Sequence, residues 1–170
     1  MSRTTLKTIL IASAVLLQLI VAPNIAIGGV APNFLLIVVV LVAMIDGPQS
    51  GAIAGFALGL TSDLIGVGAV GPWAFVLTLV GFLTGSLQRN LFAESWRLPV
   101  TIVLIASFLA QVFYGIVLLL LGSDVGFWSS FLYRMIPATI YNAAVSLLLI
   151  PIAANALIKS AQPVSITRRF

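Results

Sequence analysis

The sequence predicts an all-α polytopic membrane protein with about six transmembrane helices, and two observations carry that prediction. The 170-residue chain is 61% hydrophobic and only 7% charged, where ordinary globular sequences carry about 25% charged residues. Its apolar runs are long and almost free of charge, so the bilayer is its natural solvent. It reads as a single integral membrane domain, with spans expected at residues 6–22, 32–45, 50–65, 73–87, 100–121 and 131–158.

The first span follows Arg3 and Lys7 and stops at Pro23-Asn24. Basic residues before an apolar run also suit a signal peptide. Further spans follow at once, however, so an uncleaved first helix is the better reading. Residues 23–31 carry Pro, Asn and Gly and form a short loop. The second span opens at Pro32-Asn33, with proline suited to a first helical turn. It ends in the turn Asp46-Gly47-Pro48-Gln49. It and the third span fall short of the roughly 20 residues that cross a bilayer. They are therefore either a tilted pair of crossings or a re-entrant hairpin buried in protein.

The third span carries Gly51, Gly55 and Gly59 at every fourth position, with Asp63 the next step on the same row. On a helix these lie along one face. Small residues so spaced let a second backbone approach closely, a recognised way for helices to pack in lipid. A carboxylate on that row should point into protein, since facing hydrocarbon would cost it at least a few kcal/mol. This helix is accordingly expected to be the hub of the fold.

A glycine-rich loop, residues 66–72, leads to Trp73, placed as an interfacial anchor. The fourth span adds Gly81 and Gly85, a second small-residue pair, and the two rows together are expected to serve helix packing or a partner interface. The loop at 88–99 is the most polar and suits a short interfacial helix. Gly122 to Gly126, with Asp124, closes the fifth span, and Phe127-Trp128 marks another interface. Pro137 and Pro151 lie inside the sixth span, where proline kinks a helix.

Six crossings put Arg3, Lys7, Arg89, Arg97, Lys159, Arg168 and Arg169 on one side, seven of the eight cations. By the positive-inside rule both termini are then cytoplasmic. The eighth cation, Arg134, lies at the outer end of the sixth span, at a depth similar to that of Asp63. The two are expected to pair or share a network. The alternative is that Arg134 snorkels to headgroups and Asp63 meets water in the 66–71 loop.

Gln111 with Ser107 and Tyr114, and Tyr141 and Asn142 with Ser146, fall near mid-membrane. They suit either interhelical hydrogen bonds, the commoner use, or a pocket for a small polar ligand. Catalysis has little to work with. No His and no Cys occur, no paired acid and base is visible, and no G-x-S-x-G, H-E-x-x-H or P-loop motif appears. No cofactor, metal or nucleic-acid partner is expected; the cations are scattered and form no basic stripe.

Pro32-Asn33-Phe34, then GAIAGFALGLTSDLIGVGAVGPWAF, then GFLTG before a basic loop, resembles the rod shape-determining MreD family. Gly59-Leu60-Thr61-Ser62-Asp63-Leu64 matches that family's Gly-Leu-x-x-Asp-Leu element, and Gly66 to Gly71 matches its Gly-x-Gly loop loosely. Asn33 departs from the usual Asp, and Asp46-Gly47-Pro48 replaces basic residues common there. The resemblance implies a non-enzymatic scaffold of the bacterial cell-elongation complex in the inner membrane. Such a protein binds MreC and, through it, MreB, RodA and a class B penicillin-binding protein, organising lateral peptidoglycan synthesis. It also implies a fold similar to the substrate-binding subunits of energy-coupling-factor vitamin transporters, which supply the alternative function. Those subunits usually carry an Ala-x-x-x-Ala pair in the first span, and LKTILIASAVLLQLIVA has none.

Overall fold

The computed structural model describes residues 3–66, 69–87, 97–122 and 131–161. The polar loop around Arg89, Asp124, Phe127-Trp128, and the tail with Arg168 and Arg169 lie outside these residues. Among the described residues six main helices follow one another: α1 (Arg3–Leu16), α2 (Phe34–Asp46), α3 (Pro48–Ile65), α4 (Pro72–Ser86), α5 (Arg97–Leu120) and α6 (Ile136–Ala161). Among the described residues three stretches are long and apolar enough to cross a membrane, Lys7–Asn24, Val100–Leu120 and Leu132–Ile152. With such spans the chain is a membrane protein.

Two departures from plain α-helix matter. α1 continues through a π-helical segment, Leu17–Val21, into a last turn at Ala22–Asn24. A second π-helical turn, Phe131–Met135, leads into α6. Pro137 is the second residue of α6, directly after that π-helical turn and inside the continuous stretch Leu132–Ile152. Pro151 lies inside α6.

The hub is α2, not the glycine-bearing α3. Of the 13 residues of α2, only Val42, Ile45 and Asp46 are not buried. The helix is apolar on every side, as a helix surrounded by others should be. It touches each of the other five, while α3 packs chiefly against α4 and α2. At 1.5 Å per residue α2 is only ~20 Å long, and its interior position supplies what its length does not.

Burial creates a problem at the α2 N-terminus, where the first amides have no partner inside the helix. Three side chains solve it. The Asn33 side chain accepts from Leu36 N at 2.9 Å. Gln18, in the π-helical segment, accepts from Phe34 N at 2.8 Å. Asn142 of α6 accepts from Asn33 N at 2.7 Å. At the other end, Asp46 sits where a helix dipole disfavours an acid, and Lys7 of α1 pairs with it at 2.5 Å.

Candidate functional site

Gly51, Gly55, Gly59, Asp63, Gly81 and Gly85 gather where α3 and α4 run antiparallel, the most extensively packed helix pair among the described residues. The two glycine rows face each other in register. A Cβ placed on Gly51 would collide with the Gly81 carbonyl, and one on Gly81 with the Gly51 carbonyl. At Gly55 it would meet the Leu77 carbonyl, at Gly59 the backbone of Trp73 and Ala74, and at Gly85 the backbone of Gly47 and Pro48. In every case the obstacle is main chain, which has no rotamer to swing aside. Ala43 and Val39 of α2 close the third side of the seam, against Gly51 and Gly81. The rows are consumed by one another, so neither is left as a face for a partner helix.

Asp63 continues the row one turn beyond the end of α4, and its surroundings explain its place. α4 begins Gly71-Pro72. Glycine has no side chain to cap the helix, and proline has no N–H to be capped. The remaining amides turn to α3. Asp63 Oδ2 accepts from Gly71 N at 2.9 Å and Ala74 N at 3.0 Å, and Oδ1 accepts from Trp73 N at 3.1 Å. The carboxylate, 4% exposed, thus meets the positive end of a helix dipole. Gly71 takes φ +124° to present its N–H, a backbone angle that favours glycine.

The expected Asp63–Arg134 pair does not form. Both Asp63 oxygens are engaged by amides eight to eleven residues along the chain, and Arg134 is exposed in the π-helical turn before α6. The helix terminus provides the positive charge that the guanidinium was expected to supply.

The mid-membrane polar residues also divide. The Tyr114 ring stacks on Trp73, with centroids 4.4 Å apart and planes 21° from parallel, so Trp73 packs against α5 at the start of α4. Tyr141 Oη donates to Ile25 O at 2.6 Å, and Asn142 holds the α2 N-terminus. Ser146 donates to Ala143 O at 2.7 Å. Gln111 is half-buried, and Ser107 is fully buried without a bonded partner. Tyr141, Asn142 and Ser146 thus serve separate joints, while Asn142 Nδ2 is, like Ser107 Oγ, buried without a partner among the described residues. Among the described residues no three of His, Cys, Asp or Glu gather as metal ligands would.

The model of the rod shape-determining protein MreD family matches residues 2–159. The chain belongs to the MreD family. Membership assigns it a role in rod shape determination. No curated protein and no solved structure matches the chain. The Gly-Leu-x-x-Asp-Leu element through which the sequence resembles other MreD proteins is here the end of the α3 seam and the cap of α4. Reading the sequence missed Gln18 and the Lys7–Asp46 pair. Gln18 is the sole carboxamide in residues 6–22, which is a signal in itself. Lys7 and Asp46 fall on the same side of a six-span topology, so span parity alone brings them together.

Proposed function

We propose that this MreD-family chain is a non-catalytic, multi-pass scaffold of the bacterial cytoplasmic membrane, with both termini cytoplasmic. In this reading it binds an MreC-like protein and, through it, MreB, RodA and a class B penicillin-binding protein, helping to organise lateral peptidoglycan synthesis. A fold similar to the substrate-binding subunits of energy-coupling-factor transporters belongs to the same proposal.

The observation that carries it is the use made of Asp63. A buried acid is the natural candidate for proton or ion chemistry in a membrane span. This one accepts hydrogen bonds from three backbone amides, the arrangement of a structural cap. The glycine rows are likewise spent on internal packing, so a partner must bind to other surfaces of the helices.

Copurification in mild detergent tests the reading: the chain should bring an MreC-like protein with it, and cells lacking it should lose rod shape. Tight binding of a vitamin by the purified chain, with no MreC-like protein retained, would favour the transporter subunit instead.

A further inference from the structure

The end of the molecule opposite Lys7 and Asp46 is apolar even where the chain turns. Because α2 and α3 reverse at Gly47, the start of α2 and the close of α3 share that end. Between Lys7 and Arg89 the sequence carries two charges, Asp46 and the buried Asp63. The two connections at this end, residues 25–32 and 66–71, therefore hold none. They present isoleucine and valine instead. Ile27 is 74% exposed and Val70 61%, and Leu64 and Ile65 in the last turn of α3 are exposed as well. Exposed apolar side chains gathered in this way mark a contact surface.

We propose that these two turns dip into the boundary between headgroups and acyl chains, so that phospholipid covers this end of α2, α3 and α4. Length sets their depth. The 18 residues of α3 rise ~27 Å from Pro48, and the 18 of Lys7–Asn24 at most ~27 Å. Both climbs leave the end marked by the Lys7–Asp46 pair, whose charges belong at the aqueous edge of the bilayer. A hydrocarbon core is about 30 Å thick, so both finish at or just below its far edge, and any tilt brings them lower.

The main chain of the turns suits that depth, where backbone groups must find partners within the protein. Ile25 N donates to Val21 O at 3.1 Å, and Ile25 O accepts from Tyr141 Oη. Ile27 and Val30 exchange both of their N–H···O bonds, each at 3.0 Å. Gly28 and Gly29, with φ +59° and +79°, form the two-residue turn between them. Their exposed main chain suits headgroups better than tails, which seats the hairpin at the boundary. In the second turn Gly66 N donates to Ser62 O at 2.9 Å and Gly71 N to Asp63.

Continuity selects lipid over a soluble partner. Ile53, Phe56 and Leu64 form one exposed stripe along α3, the kind of face that a membrane helix turns to acyl chains. Ile65 and Val70 carry that stripe past the helix end with no charge to interrupt it. The inference rests on the chain being a membrane protein and not on the elongation-complex reading.

The chain has no cysteine, so Ile27→Cys and Val70→Cys of the full chain each take a nitroxide at one chosen place. Gln49→Cys, exposed in the first turn of α3 at the opposite end, is the aqueous control. Each variant is reconstituted without other proteins into phosphatidylethanolamine–phosphatidylglycerol vesicles. Power-saturation EPR then compares collisions with oxygen, which partitions into lipid, and with a nickel chelate equilibrated across the vesicles, which stays in water. Oxygen access should exceed nickel access several-fold at positions 27 and 70, and the order should reverse at 49. A phospholipid with a diazirine high on its acyl chain gives a readout on the unaltered chain, and its adducts should include Ile27 and Val70. Nickel access at either turn equal to that at position 49 places the turn in water and overturns the proposal. Access to neither reagent, as a second copy seated on the turns would give, overturns it too, as do photoadducts absent from both turns.

Discussion

The two flanks of α2 are packed by opposite means. On one side α3 and α4 meet main chain to main chain, with glycine at each crossing and no room for a methyl group. On the other side α1 stands off from α2 and α6 across an apolar groove, and the contact is made by side chains. α1 also hides the least of itself among the three long apolar helices. The difference teaches where the energy of a membrane fold resides. Without a hydrophobic drive between helices, close packing and buried hydrogen bonds decide which pairs are permanent. The seam has both. Among the described residues the groove shows neither along its length; Lys7 of α1 pairs with Asp46, and Gln18, just beyond α1, accepts from Phe34 N.

The contrast can be broken most severely at Gly55. Gly55→Leu must push the Leu77 carbonyl away, and overpacking of this kind costs about 3 kcal/mol or more when the obstacle is backbone. Loss of folded protein from the membrane fraction is the expected result, and normal yield with an unchanged Tm would show that the seam is not rigid. Next comes the cap. Asp63→Leu leaves three amides of α4 without an acceptor and should cost about 2–4 kcal/mol in mixed-micelle unfolding. Asp63→Asn, which keeps an acceptor oxygen, should recover a good part of that loss.

Asn142→Leu removes the acceptor for Asn33 N and should cost about 1–2 kcal/mol by the same assay. A null effect would mean that water replaces it. The smallest effects are expected where the packing is loose. Ser13→Phe adds about as much bulk as Gly55→Leu, yet into the groove, and should leave stability within about 0.5 kcal/mol. Arg134→Ala should be equally mild, because Arg134 is exposed and unconnected to Asp63. If Arg134→Ala matched Asp63→Leu in severity, the assignment of Asp63 as a helix cap would be wrong.

Much of the seam was legible in the sequence because it rests on spacing alone. A four-residue period fixes which residues share a helix face, so Gly51, Gly55, Gly59 and Asp63 fall on one row without any tertiary information. What faced the row was harder. Depth in a membrane places Arg134 near Asp63 but says nothing about azimuth around the bundle. The decisive clue was local: a helix beginning Gly71-Pro72 cannot cap itself, and an unspent carboxylate lies eight residues before it. The central helix was hidden for a different reason. In water, apolarity marks the interior, but in lipid Phe34 to Met44 would be equally at home outside. Only the polar groups gathered at their start, Asn33, Gln18 and Asn142, distinguish that stretch as enclosed.

Those caps also set an order of assembly. Asn33 is held by a side chain 109 positions downstream, while Asp63 finds its amides within eleven. At ribosomal rates of 5–20 residues per second, the second helix waits roughly 5–20 s for Asn142 to be made. The hairpin that follows it has its own acceptor as soon as it emerges. The centre of this molecule is therefore finished last, around a pair of helices already locked together.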